Sequence, residues 1–85
     1  MKNKVNCNII MKSKCVAIII LDDQSSTGII HIGQKVKRNQ LLFRMKYLNI
    51  NIDFFSPCDG IINEIYVINK TMIEYGQKIL SLIQI

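Results

Sequence analysis

The sequence predicts an all-β domain, a flattened barrel or sandwich whose two halves are related by a pseudo-twofold axis. Three observations favour this fold class. First, 18 of the 85 residues are isoleucine, a β-branched residue that prefers extended backbone. Second, short apolar runs are separated by turn-forming residues, and no segment keeps a helical period. Third, one seven-residue pattern recurs after 37 residues, as Val36-Lys37-Arg38-Asn39-Gln40-Leu41-Leu42 and as Ile73-Glu74-Tyr75-Gly76-Gln77-Lys78-Ile79.

The N-terminal residues 1–12 are polar and rich in asparagine and lysine. This composition is typical of a flexible arm or of a short edge strand. The domain itself is therefore expected to span residues 13–85. Its first half is predicted to contain strands over 15–21 and 29–32, an exposed loop over 22–28 and a turn at Gly33.

The rest of the chain alternates strands and turns in the same way. Ser56-Pro57-Cys58-Asp59-Gly60 is the strongest turn signal in the sequence. Asn39 and Gly76 occupy equivalent positions of the repeat, and both residue types tolerate positive φ. Structural turns are therefore assigned to Gly33, Gly60 and Gly76. Extended segments are predicted at Val36 and over 41–47, 50–55, 61–68 and 79–83.

The strands 41–47 and 50–55 are predicted to form a hairpin with Leu48-Asn49 at its tip. In this register every apolar residue faces an apolar one, and Arg44 faces Asp53. A turn at Met45-Lys46 would instead mix apolar with polar partners and, because the slip is odd, would exchange the buried and exposed faces. Asn49 also suits a hairpin position that requires positive φ.

Composition argues against several classes of function. The net charge is +5, but the basic residues are dispersed and no aromatic residues alternate with them, so nucleic-acid binding is not expected. The apolar run 16–21 is too short to span a bilayer. Cys7, Cys15 and Cys58 fit neither a zinc site nor a disulfide framework, and His31, expected to face outward from a strand, has no companion ligand. No metal site and no catalytic constellation is predicted.

Three segments resemble the biotinyl/lipoyl carrier domains, and in particular the biotin carboxyl carrier of acetyl-CoA carboxylase. The likeness runs from about Cys15 to Leu82 and is gap-free from Gly33 onward. The resemblance implies a flattened eight-stranded β-barrel or sandwich with a modified lysine at a hairpin tip. The matching segments are Ile32-Gly33-Gln34-Lys35-Val36, Ser56-Pro57-Cys58-Asp59-Gly60-Ile61-Ile62 and Ile73-Glu74-Tyr75-Gly76-Gln77-Lys78-Ile79.

The chain departs from this family at the acceptor motif. Family carriers have Glu-Ala/Ser-Met-Lys there, whereas the gap-free alignment places Lys46-Tyr47-Leu48-Asn49 at these positions. Asn49 thus stands where the resemblance implies the acceptor lysine, and its amide cannot be biotinylated or lipoylated. Met45-Lys46 is a Met-Lys pair like that of the family motif, but it lies at the hairpin tip only if the register shifts by three residues.

The sequence leaves three functions open. The first is a non-catalytic, carrier-like subunit of acetyl-CoA carboxylase in fatty acid biosynthesis, without cofactor and with a structural or regulatory role. The second is a working carrier with biotin on Lys46, and the third is an adaptor domain unrelated to carboxylation. The resemblance implies biotin carboxylase or carrier subunits as partners in a hetero-oligomer, without nucleic acid or membrane. A plastid that encodes the chain itself or a bacterial cytoplasm is the expected location.

Overall fold

The computed structural model describes residues 8–23 and 28–85. Within these ranges the chain forms ten strands and no helix, which confirms the all-β prediction. The strands are β1 (Asn8–Lys12), β2 (Ala17–Ile20), β3 (Asp22–Asp23), β4 (Gly28–Ile29), β5 (Lys35–Val36), β6 (Leu41–Tyr47), β7 (Ile50–Phe55), β8 (Gly60–Ile65), β9 (Met72–Ile73) and β10 (Lys78–Gln84).

Two four-stranded sheets make up most of the domain, in the orders β1-β10-β8-β5 and β7-β6-β2-β9. All pairings are antiparallel, and β3 and β4 form a separate two-stranded ribbon. The long strands β6 and β10 lie in the interior of their sheets, whereas the two-residue strands β5 and β9 lie at the edges. The fold is thus a flattened sandwich with one apolar layer between its sheets.

The core lies between the two sheets and takes side chains from both. Because successive residues of a strand point to opposite faces, each sheet contributes alternate residues, such as Ile19 and Met45 from paired positions of β2 and β6. The fully or almost fully buried apolar side chains are those of Ala17, Ile19, Leu21, Ile30, Val36, Leu42, Phe43, Met45, Ile62, Ile73, Ile79, Leu80 and Leu82.

The repeat at 37 residues corresponds to equivalent turns. Asn39 and Gly76 have φ angles of 70° and 82°. The N–H of Asn39 donates to the carbonyl of Ser56, and that of Gly76 donates to the carbonyl of Ser13, both at 2.8 Å. This confirms the prediction of two halves with equivalent bends.

A second repeat, which the sequence analysis missed, accounts for the partners of these turns. Ser13 Oγ donates to the carbonyl of Cys15, and Ser56 Oγ donates to the carbonyl of Cys58. The spacing is 43 residues in both cases, from 13 to 56 and from 15 to 58. The repeated Ser-x-Cys pattern was the available signal, and it relates the segment before β2 to the segment before β8.

Some predicted element boundaries need correction. Residues 8–12 form an edge strand paired with β10, so the flexible-arm alternative is wrong for them, and residues 1–7 lie outside the described part. The strand predicted over 29–32 ends at Ile29, and His31 lies exposed in the turn that follows, where its N–H donates to Gln34 Oε1. Strand β4 pairs with β3 over two residues, and one further backbone hydrogen bond, from the N–H of Ile30 to the carbonyl of Leu21, follows before the chain turns.

Two further boundaries differ. The strand predicted over 61–68 ends at Ile65, because the chain then turns towards Lys70, whose φ is 65°. Strand β9 was not predicted, since two residues give no readable alternation. The loop predicted over 22–28 begins and ends in the strands β3 and β4, and residues 24–27 lie outside the described residues.

Candidate functional site

The β6–β7 hairpin has the register that the sequence predicted. Its two-residue turn is Leu48-Asn49, directly after β6 and before β7. A register irregularity lies only at its base, between Leu41 and Phe43. The cross-strand partners are Tyr47 with Ile50, Lys46 with Asn51, Met45 with Ile52, Arg44 with Asp53, and Phe43 with Phe54.

Two side-chain contacts hold this register. The rings of Phe43 and Phe54 are stacked, with centroids 4.8 Å apart and an interplanar angle of 15°. On the other face Arg44 Nε donates to Asp53 Oδ1 at 2.6 Å. The hydrogen bond and the charge of Asp53 raise the pKa of Arg44, so the guanidinium stays charged. A slip of the hairpin would separate both pairs at once.

The tip has an unusual backbone conformation. Leu48 has a φ of 54°, whereas Asn49 is not among the residues with positive φ. The expectation that Asn49 would adopt positive φ is therefore wrong, because the left-handed conformation falls on the first turn position. Leucine has a Cβ that disfavours this region, and its side chain is 75% exposed. The tip thus presents an apolar side chain on a strained backbone.

Lys46 lies within β6 and not at the tip. It pairs with Asn51 on one side and with Ile18 on the other, so its backbone is in the interior of the sheet. Its side chain is exposed, whereas that of the preceding Met45 is completely buried. Moving Lys46 into the turn would require Met45 to leave the core. The structure therefore brings Leu48 and Asn49 together at the tip and leaves Lys46 in the strand, three residues before Asn49 along the chain.

An open groove of about 210 Å³ lies beside the tip. Most of its lining is apolar, Lys46 is its only charged lining residue, and the lining includes the strained Leu48. The sequence analysis did not find this groove, because its residues come from three separate segments of the chain. The lining residues are Val16, Ala17, Ile18, Lys46, Tyr47, Leu48 and Met72.

The three glycines assigned to turns have different roles. Gly33 and Gly76 have φ angles of 92° and 82° and open space around them. Gly60 is buried and begins β8, where a Cβ would lie 2.7 Å from the carbonyl oxygen of Ile83. The close approach of β8 and β10 therefore requires glycine at position 60.

The remaining candidate residues form no chemical centre within the described ranges. Among these residues no group of three or more His, Cys, Asp or Glu side chains is placed to hold a metal ion. Cys58 is buried and Cys15 is half-buried, both as free thiols, and Cys7 lies outside the described part. No helix in the described ranges is long and apolar enough to cross a membrane.

The chain is similar in sequence to a known carrier protein and similar in fold to part of a solved carboxylase structure. No family model matches the chain. A segment of 46 residues, 54% of the chain, is 39% identical to the biotin carboxyl carrier protein of acetyl-CoA carboxylase from Streptococcus pyogenes serotype M6. The matched region spans only 28% of that protein's length.

The structural relationship covers the whole chain. The fold matches part of a single-chain, multi-domain long-chain acyl-CoA carboxylase with a TM-score of 0.77, over 100% of this chain and 8% of the carboxylase. The sequence identity is 7%, so this match concerns the fold alone. Sequence similarity to a carrier protein and this shared fold agree with each other, and both support a domain of the biotinyl carrier type.

Proposed function

We propose that this chain is a biotin-carboxyl-carrier-like subunit of an acetyl-CoA carboxylase that carries no biotin and has a structural or regulatory role in the assembly. The observation that supports it is the hairpin register, which puts Leu48 and Asn49 in the turn. In the carrier family this turn presents the acceptor lysine, so the chain keeps the shape of a carrier without the reactive group.

The chemistry of the two tip residues does not fit a covalent biotin. Attachment forms an amide bond and needs a primary amine as nucleophile. Leu48 offers a hydrocarbon side chain, and the nitrogen of the Asn49 amide is delocalised into its carbonyl and is not basic. Neither turn residue can therefore accept biotin.

Lys46 provides the alternative acceptor, because it is exposed and follows a methionine as the family motif requires. Its position argues against this role. Strand β2 pairs on one side of it and β7 on the other, so its side chain leaves from the middle of a sheet. A carrier lysine has to project from the domain to reach an active site. A residue at the hairpin tip projects in this way, whereas a residue in a central strand does not.

The proposed partners are the biotin carboxylase subunit or the true carrier subunits of the same enzyme, in a hetero-oligomer. These subunits would supply the catalytic groups, and no metal-ligand cluster is found among the described residues of this chain. The chain would occupy a carrier's docking position without taking part in the chemistry.

Intact-mass measurement after co-expression with a biotin ligase tests the missing attachment. The native chain is expected to stay unmodified. The Leu48→Met/Asn49→Lys variant is expected to gain one biotinyl group, mapped to position 49, and to gain it equally when Lys46→Arg is added. Biotin on Lys46 of the native chain would refute the proposal and establish a working carrier.

Binding to purified subunits tests the partnership separately. Size-exclusion chromatography and calorimetry with the biotin carboxylase and carrier subunits from the same source are expected to show a stoichiometric complex. Absence of binding to each of them would reject the carboxylase role and leave an adaptor domain unrelated to carboxylation.

A further inference from the structure

The groove beside the tip has an apolar floor that no other described part of the chain covers. Val16, Leu48 and Met72 are 47%, 75% and 68% exposed, and all three line it. Monomeric proteins seldom leave large apolar side chains grouped in this way, and such groups mark interaction surfaces. These three residues come from the segment before β2, from the hairpin tip and from β9, and the fold brings them together at one groove.

The strand register explains why these side chains meet. Ile18 pairs with Lys46 on β6 and with Met72 on β9, so the three side chains form a row across the outer face of the sheet. Val16 lies two residues before Ile18 and extends the same face towards the tip. Ile18, Lys46 and Met72 thus lie on three paired strands, which hold this part of the floor in position.

The groove also has a charge preference. Lys46 is its only charged lining residue, and no carboxylate in the described part of the chain pairs with it. Asp53, the nearest acid by register, is already bound to Arg44. Lys14 is exposed two residues before Val16, and Glu74, which follows β9, does not line the groove. An incoming carboxylate would meet an uncompensated ammonium group.

The size of the groove limits what can occupy it. At about 210 Å³ it is smaller than the ~300–1,000 Å³ sites that enclose drug-sized ligands. It is also open to solvent along the sheet. One large apolar side chain fits, in the manner of the anchor residues that dominate protein interfaces.

We propose that this groove docks a segment of a partner protein that inserts one aliphatic or aromatic side chain between Ile18, Leu48 and Met72 and places a carboxylate against Lys46. The site assigns a role to Lys46 that needs no modification of its amine. The inference does not depend on the partner being a carboxylase subunit.

The test is an NMR titration of the ¹⁵N-labelled full chain with the acetylated, amidated pentapeptide Glu-Glu-Leu-Glu-Glu. Shifts are expected at residues 16–18, 46–48 and 72, with an affinity of about millimolar. Peptides with Ala in place of Leu, or with Lys in place of Glu, should bind at least about fivefold more weakly. Sodium hexanoate is the probe for a small-molecule site.

Lys46→Glu should weaken binding of the acidic peptide about fivefold or more, whereas the matched surface variant Lys35→Glu on β5 of the other sheet should leave it unchanged. Spectral dispersion shows that both variants fold. Equal binding of all three peptides, hexanoate binding as tightly as the acidic peptide, or shifts confined to other surfaces would each overturn the proposal. Peptide binding without carboxylase binding would preserve this groove and reject only the proposed function.

Discussion

Replacing Gly60 by alanine tests how closely the neighbouring strands β8 and β10 approach each other. Gly60 pairs with Val36 on β5 and with Gln84 on β10, so strands confine it on both sides. An added Cβ would lie 2.7 Å from the backbone oxygen of Ile83, where ordinary contact begins at 3.4 Å. The strands would have to separate by the difference, 3.4 minus 2.7, or about 0.7 Å.

The expected loss follows from that separation. Overpacking a close contact costs about 1–3 kcal/mol, and loosening one ladder hydrogen bond costs about 1 kcal/mol more. We therefore expect Gly60→Ala to lower the free energy of unfolding by about 2–4 kcal/mol. The whole free energy of unfolding of a domain of this length is roughly 4–13 kcal/mol, so the variant should lose a large part of its stability.

Urea unfolding followed by far-ultraviolet circular dichroism measures this loss, with an unchanged slope showing that the unfolded state is comparable. Gly76→Ala is the matched control. Its Cβ would meet nothing within 4 Å, and its φ of +82° should cost only about 1–2 kcal/mol. If Gly60→Ala is no more destabilising than Gly76→Ala, the close approach of β8 and β10 is wrong.

Three further predictions concern the hairpin. Met45→Ala should lower stability by about 2–4 kcal/mol because Met45 is completely buried, whereas Lys46→Ala should change it by less than about 0.5 kcal/mol; similar urea midpoints would contradict the register. Leu48→Gly should raise stability by up to about 1 kcal/mol, since glycine accepts positive φ, and a lower midpoint would show that contacts of the leucine outweigh its strain. Because Asp53 raises the pKa of Arg44, the contribution of the charged guanidinium is complete below the pKa of arginine in the unfolded chain and is lost only as the pH rises through the higher pKa of the folded state. Arg44→Gln should therefore differ from the native chain by a constant amount between about pH 7 and about pH 10, and the difference should shrink in about 1 M salt; a difference that changes over this pH range would refute the ion pair.

The hairpin shows what this sequence specifies directly. Its strands 41–47 and 50–55 and all five predicted pairs from Phe43 with Phe54 to Tyr47 with Ile50 are found in the structure. The reason is that a one-residue slip would turn Met45 outward and break the pairing of Arg44 with Asp53. Where the matching of apolar partners and the pairing of charges both favour one register, the sequence is sufficient to predict it.

Other features depend on partners distant in sequence. Asn8–Lys12 is a strand only because β10 offers it a hydrogen-bonding edge, and its own residues show weak alternation. The positive φ at Leu48 follows from the twist that the hairpin imposes on its turn, which overrides the intrinsic preference of asparagine for this conformation. The groove requires β9, whose two residues give no sequence signal of their own.

The pseudo-twofold architecture separates the stability of the domain from its tip. Exchanging the halves maps the sheet β1-β10-β8-β5 onto β7-β6-β2-β9, so the hairpin β6–β7 corresponds to the pair β10–β1, which is not closed by a turn. The paired turns at Asn39 and Gly76 and the Ser-x-Cys contacts recur in both halves, whereas Leu48-Asn49 has no structural counterpart. The scaffold therefore does not require any particular side chain at these two positions. Asn49→Lys should therefore introduce an amine at the tip without a measurable change in the midpoint of urea unfolding.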